Sequence, residues 1–165
     1  MAVVALPVHD SEPSPAPDRP LGGYATLSGL FVVLAGAFSA WVRASGRELP
    51  ERVNPGELAL LTVAAHKGSR LIAKDRVTST VRAPFTEFES EAGPGEVNER
   101  ARGRGLRRAV GELLICPHCL GLWVAATLAA GLIVAPRPTR WIASVLTALF
   151  GSDVLHIAYK KLEES

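Results

Sequence analysis

The sequence predicts an all-α, multi-pass membrane bundle of four transmembrane helices, and three observations carry that prediction. Apolar residues make up 48% of the 165, and mean hydropathy is +0.21 despite 12 Pro and 15 Gly. Those residues are gathered into runs rather than spread at amphipathic spacing: 113–135 contains no Asp, Glu, Lys or Arg. A helix of that length covers ~35 Å, enough for a bilayer core of ~30 Å. No stretch alternates convincingly as a strand, and no internal repeat is evident. At this length the chain is one compact unit at most.

Residues 1–20 hold five Pro, with Asp10, Glu12 and Asp18 against a single Arg19. Such a segment cannot bury a core and reads as a disordered tail. The first transmembrane helix is 21–42, uncharged and closed by Trp41 and Arg43 at an interface. A secretory signal peptide is the competing reading, but it requires a basic start and a shorter apolar core. The pairs Ala25/Gly29 and Gly36/Ala40 have the spacing used in close helix packing in lipid. Asn54, Pro55 and Glu57 then form a helix start for 57–73, a span of marginal apolarity ending in Lys67, Arg70 and Lys74. Residues 74–112 read as a polar loop around Gly93-Pro94-Gly95 and Arg102-Gly103-Arg104-Gly105. The third span is 113–135, Pro136-Arg137-Pro138 makes a turn, and 141–159 is the fourth span, closed by Lys160-Lys161.

Charge distribution sets the orientation. Eleven Lys and Arg flank the spans on the side of the tail, the long loop and the C-terminus, against five on the other side. The positive-inside rule then places both termini and the loop in the cytoplasm of a multi-pass cell-membrane protein. Eight cations and seven acids in the loop nearly cancel, so nucleic acid is not an expected partner. The lipid bilayer is, together with a possible membrane-protein partner.

Counting from the turn, Cys119, Asp153 and His156 fall at one depth, and the second helix ends on the same side. A polar cluster of His66, Lys67, Arg70, Lys74, Asp153 and His156 is therefore expected near the inner surface, with Arg70 paired to Asp153. Cys116-Pro117-His118-Cys119 holds the chain's two cysteines at the head of the third span. A helix N-terminus favours a thiolate, so Cys116 and Cys119 are the candidate catalytic residues of a thiol-disulfide reaction. The same pair, completed by His66, His118 or His156, is the candidate metal set for zinc or copper, and Cys116, Cys119 and His156 are the set at matching depth. Plain structural thiols are the third reading, and on that reading no cofactor is expected. The tetrad resembles the active-site sequence of a periplasmic thiol oxidase of the thioredoxin class. The bundle resembles vitamin K epoxide reductase-like proteins, whose thiols lie on the oxidising side of the membrane.

The stretches His66-Lys67-Gly68-Ser69-Arg70-Leu71, Lys74-Asp75-Arg76-Val77-Thr78, Arg82-Ala83-Pro84-Phe85 and Cys116-Pro117-His118-Cys119-Leu120-Gly121-Leu122-Trp123 carry a more extensive likeness. Over residues 55–161 the chain resembles the bacterial membrane family known as domain of unknown function 1360. The resemblance implies a small membrane protein, some of whose relatives carry sporulation labels, with no established activity. The family usually has an aromatic residue where this chain has His118, which counts against His118 as an obligatory ligand. The expected function is a structural or interaction role in the cell envelope rather than catalysis, with thiol redox or metal handling as the alternative.

Overall fold

The computed structural model describes residues 19–164 apart from Glu48 and Val53. The expected tail 1–20 therefore lies outside the described residues, save Arg19 and Pro20. The chain forms α1 (Leu21–Ala44), α2 (Pro55–Lys74), a 3-10 turn (Arg76–Thr78), α3 (Ser79–Arg82), β1 (Thr86–Gly93), β2 (Glu96–Ala101), α4 (Gly105–Ile115), α5 (Pro117–Val134) and α6 (Pro136–Glu163). Three of these helices, α1, α5 and α6, are long and apolar enough to cross a membrane. Only 6%, 11% and 6% of their apolar windows is buried within the protein, so most of that surface is left to another apolar medium.

Helix α2 begins as its sequence dictates. The Asn54 side chain accepts a hydrogen bond from the Gly56 amide at 2.8 Å, Pro55 occupies the first turn and Glu57 faces the positive end of the dipole. Its far end is closed by side chains from downstream. Thr78 Oγ1 donates to the Leu71 carbonyl at 2.7 Å, and Arg82 reaches the Ile72 carbonyl, satisfying acceptors that a helix end leaves open.

Helix α2 packs between α5 and α6 through small residues: Ala64, Ala65 and Ala143 are buried with Leu128, and Leu60, Leu61, Val124 and Leu146 close around them. Alanines let the helix axes approach closely, which suits packing where lipid already solvates Leu and Val. Helix α2 runs level with α6, with Glu57 against Arg140 at 2.6 Å and Lys67 against Asp153 at 2.7 Å. Helix α1 runs beside α4 and α5 in the same direction as they do. Gly23 abuts Ala109, the Tyr24 hydroxyl donates to Glu112, Phe31 meets Trp123 edge-on at 5.2 Å and Arg47 reaches the Ile133 carbonyl at 2.9 Å. The small-residue pairs of α1 take no part, since Gly29 and Gly36 face open space among the described residues.

Several expectations need correction. The chain is mainly helical but not all-α, because residues 86–101 form an antiparallel hairpin. Its turn is Pro94-Gly95, with Gly95 at φ 78°, a conformation that disfavours side chains. The strands carry no alternating apolar pattern, because Glu87, Glu89 and Glu91 line β1 and only Thr86 on β1 and Val97 on β2 are buried. The polar loop 74–112 is therefore mostly ordered structure, and its last part is α4. The third helix starts at Pro117 rather than 113, because Cys116 is extended at φ −104° and ψ 103° ahead of a proline that cannot continue the helix. The fourth helix starts earlier than expected, at Pro136. Four transmembrane helices were expected; α2 falls outside the three that length and composition qualify.

Candidate functional site

The polar elements gather at one end of the bundle, where α2 and α6 diverge beneath the hairpin turn. The Arg76 amide donates to the Gly95 carbonyl at 2.8 Å, and Asp75 bridges Glu96, so the turn is tied to the end of α2. Between these elements lies a cleft of about 1020 Å³. His66, Lys67 and Arg70 line it from α2, Asp153, His156 and Lys160 from α6, and Asp75, Glu96 and the turn complete it.

Five of the six residues expected to cluster thus meet: His66, Lys67, Arg70, Asp153 and His156. Lys74 does not join them, because its ammonium donates to Asn98 Oδ1 at 3.1 Å on β2. The expected Arg70–Asp153 pair is also replaced. Lys67 Nζ, almost wholly buried, donates to Asp153 at 2.7 Å, while Arg70 forms a two-pronged pair with Glu96, both contacts at 2.8 Å. The reason lies in helix geometry and in the hairpin. Lys67 sits on the face of α2 that meets α6, and Arg70, further along, meets a carboxylate that only the folded hairpin brings near.

Electrostatics within the cleft are strained at Asp75. Burial raises its carboxyl above the ordinary range, and the Glu96 and Asp153 carboxylates push the same way, against Lys67 and Arg70. His66 stacks edge-on against Phe150 at 5.6 Å. Asp75 and Glu96 join the expected cluster as additional acids. Asp75 follows Lys74 in the family pattern and Glu96 follows the Gly-Pro-Gly turn, and those were the available signals.

Beside the cleft a second polar centre is fully buried. Arg82, sealed from water, donates to both oxygens of Glu99 at 2.9 Å, to Thr78 Oγ1 at 2.6 Å and to the Asp75 carbonyl at 3.1 Å. Thr86 Oγ1 adds a hydrogen bond to Glu99 at 2.6 Å. Burial pushes the Glu99 carboxyl up, but hydrogen bonds from Arg82, Thr86 and Ser79 outweigh it and hold it down at about 2. The stretch from Lys74 to Phe85 is thus the clasp that fixes the hairpin to the helices.

The thiols sit apart from the cleft. Cys116 caps α5, its Sγ accepting the Cys119 amide at 3.2 Å; both thiols are free, Cys116 half-buried and Cys119 exposed. His156 lines the cleft instead of joining them, and among the described residues no three His, Cys, Asp or Glu side chains converge as a metal set.

Apart from Lys160, the residues that line the cleft and build the clasp lie within residues 60–159, and those residues match the family described as "Protein of unknown function (DUF1360)". The chain belongs to the DUF1360 family. It is also similar to "Sporulation protein YjcA" of Bacillus subtilis (strain 168), at 31% identity over 97 residues, covering 57% of this chain and 82% of that protein. No solved structure matches it. Helix α1 precedes the DUF1360 match, whereas α2 from Leu60, the hairpin, α4, α5 and most of α6 fall inside it.

Proposed function

We propose that this DUF1360 protein is a four-crossing integral membrane protein of the cell envelope with a structural or interaction role. Its cleft would receive a membrane-protein partner on the cytoplasmic side. The observation that carries the reading is the alignment of α2 with α6. Glu57 pairs with Arg140 at one end and Lys67 with Asp153 towards the other, so α2 matches the depth of a helix that qualifies as a span. Its cations are answered by partners, Lys67 by Asp153 and Arg70 by Glu96, which offsets the cost of holding charge near lipid. The relative's name concerns sporulation, and we extend a role of that kind to this chain.

Single cysteines introduced at Gly95 and at Pro138 in a background lacking Cys116 and Cys119 test the arrangement. An impermeant maleimide added to intact cells should label position 138 and leave 95 unlabelled until the cells are opened. Labelling of 95 from outside would overturn it.

A second reading, thiol redox or zinc or copper handling, is favoured by one contact, the Cys119 amide on Cys116 Sγ, since such donation stabilises a thiolate. Metal analysis of the purified protein and its Cys116→Ser/Cys119→Ser variant separates these. Stoichiometric metal lost in the variant would support metal handling.

A further inference from the structure

Helix α1 is pinned to its neighbours at both ends, and between them it touches α5 through the Phe31–Trp123 ring pair and leaves a groove beside that contact. At one end Gly23 abuts Ala109 and Tyr24 donates to Glu112; at the other, Arg47 Nη1 donates to the carbonyls of Ile133 and Val134 at 2.9 and 3.4 Å. The gap is an apolar groove of about 360 Å³, walled by Phe31 and Phe38 on one side and Trp123, Ala126, Ala130 and Ile133 on the other. That volume lies within the range of small-ligand sites. The groove's two hydroxyls, Ser39 and Thr127, already donate to carbonyls of their own helices, so the walls offer water few partners, and an empty groove forfeits dispersion contacts along its length. The mouth is basic. Arg43 lies one helical turn beyond groove-lining Ser39 and is exposed, and the Arg47 guanidinium stacks over Trp41 at 5.2 Å.

We propose that this groove binds one acyl chain of an anionic phospholipid, with the lipid phosphate held by Arg43 and Arg47. The inference rests on the reading that α1 and α5 cross the bilayer. Apolar walls accept the chain, and two guanidiniums at interfacial height suit a phosphate whose charge no cation of the same headgroup offsets, which favours an anionic lipid over zwitterionic phosphatidylcholine. Arg47 spends one nitrogen on the helix carbonyls and keeps other donors for the ligand.

Tryptophan quenching by brominated lipid tests this, because the chain has three Trp, one of them in the groove wall. A protein retaining only Trp123 (Trp41→Phe, Trp141→Phe) is placed in nanodiscs doped with brominated phosphatidylglycerol or brominated phosphatidylcholine. Trp123 should be quenched at lower mole fraction by the anionic lipid, with about fivefold of that preference lost for each of Arg43→Gln and Arg47→Gln. Ala130→Phe should weaken quenching by both lipids by filling the groove. A protein retaining only Trp141, which is 70% exposed on α6, should report bulk lipid without preference. Equal quenching of Trp123 by the two lipids would overturn the proposal. So would protection from both combined with crosslinking through Ala130→Cys, which would assign the groove to a second copy. If Trp141 were unquenched by either lipid, the membrane reading itself would fail, a result distinct from those two.

Discussion

Arg82 and Glu99 form a two-pronged ion pair closed to water, with side chains 0% and 6% exposed and both contacts at 2.9 Å. The same guanidinium reaches the Ile72 and Asp75 carbonyls, so one side chain joins the end of α2 to β2. The cleft depends on that union, because Arg70 and Glu96 meet across it only when the hairpin is docked.

Removing one partner leaves the other charge buried without compensation, which typically costs ~3–5 kcal/mol. Arg82→Met and Glu99→Met should each lower thermal stability in mild detergent by an amount of that order. The double variant should lose well under the sum. Additive losses in a double-mutant cycle would show that the two residues act independently.

Acid should loosen the clasp. The folded chain holds Glu99 ionised down to about 2, against an ordinary value of 4.5, so the unfolded chain takes up its proton first as pH falls. The stability contributed by this group is fully present above pH 4.5 and is lost as pH drops towards about 2. Melting curves of the wild type and Glu99→Gln across that interval check the sign. The wild type should fall more steeply, and parallel curves would contradict the assignment.

Asp153 should couple to Lys67 and not to Arg70. Lys67 is nearly buried and Asp153 about half exposed, so solvent screening tempers the pair, and a coupling of ~1 kcal/mol is expected between Lys67→Gln and Asp153→Asn. Arg70→Gln combined with Asp153→Asn should be additive, because Arg70 is held by Glu96. The reverse pattern would restore the pairing suggested by the sequence alone.

That mispairing marks where the sequence stopped being legible. Apolar runs located α1, α5 and α6, the first two without charge and the third broken only by Asp153, and Asn54-Pro55 located the start of α2, because each signal is local. The gathering of His66, Lys67, Asp153 and His156 was also readable, since hairpin geometry fixes depth from the Pro136–Pro138 turn. The β-hairpin was not, because its strands bury little and carry acids on β1. Without the hairpin, Glu96 had no place beside Arg70 and Glu99 none beside Arg82. The residues from Lys74 to Phe85 that carry the family resemblance could be quoted from the sequence, yet their work as a clasp emerges only when those distant acids are placed.

The thiols provide the last prediction. Cys116 Sγ accepts the Cys119 amide at the start of α5, the position where Ser, Thr, Asp or Asn normally serves. As a structural cap, Cys116→Ser should preserve stability while Cys116→Ala loses up to ~1 kcal/mol. The half-buried Cys116 should then alkylate slowly, and more slowly than the exposed Cys119. Thiol exchange makes the opposite demands: Cys116 must be the attacking thiolate, with its proton already released. It would form a mixed disulfide with a partner's disulfide, and Cys119 would resolve that bond and free the partner's second sulfur as a thiol. Maleimide labelling at neutral pH followed by mass analysis distinguishes the cases. Rapid modification of Cys116, together with mixed disulfides trapped in Cys119→Ala, would replace the structural role with a redox one.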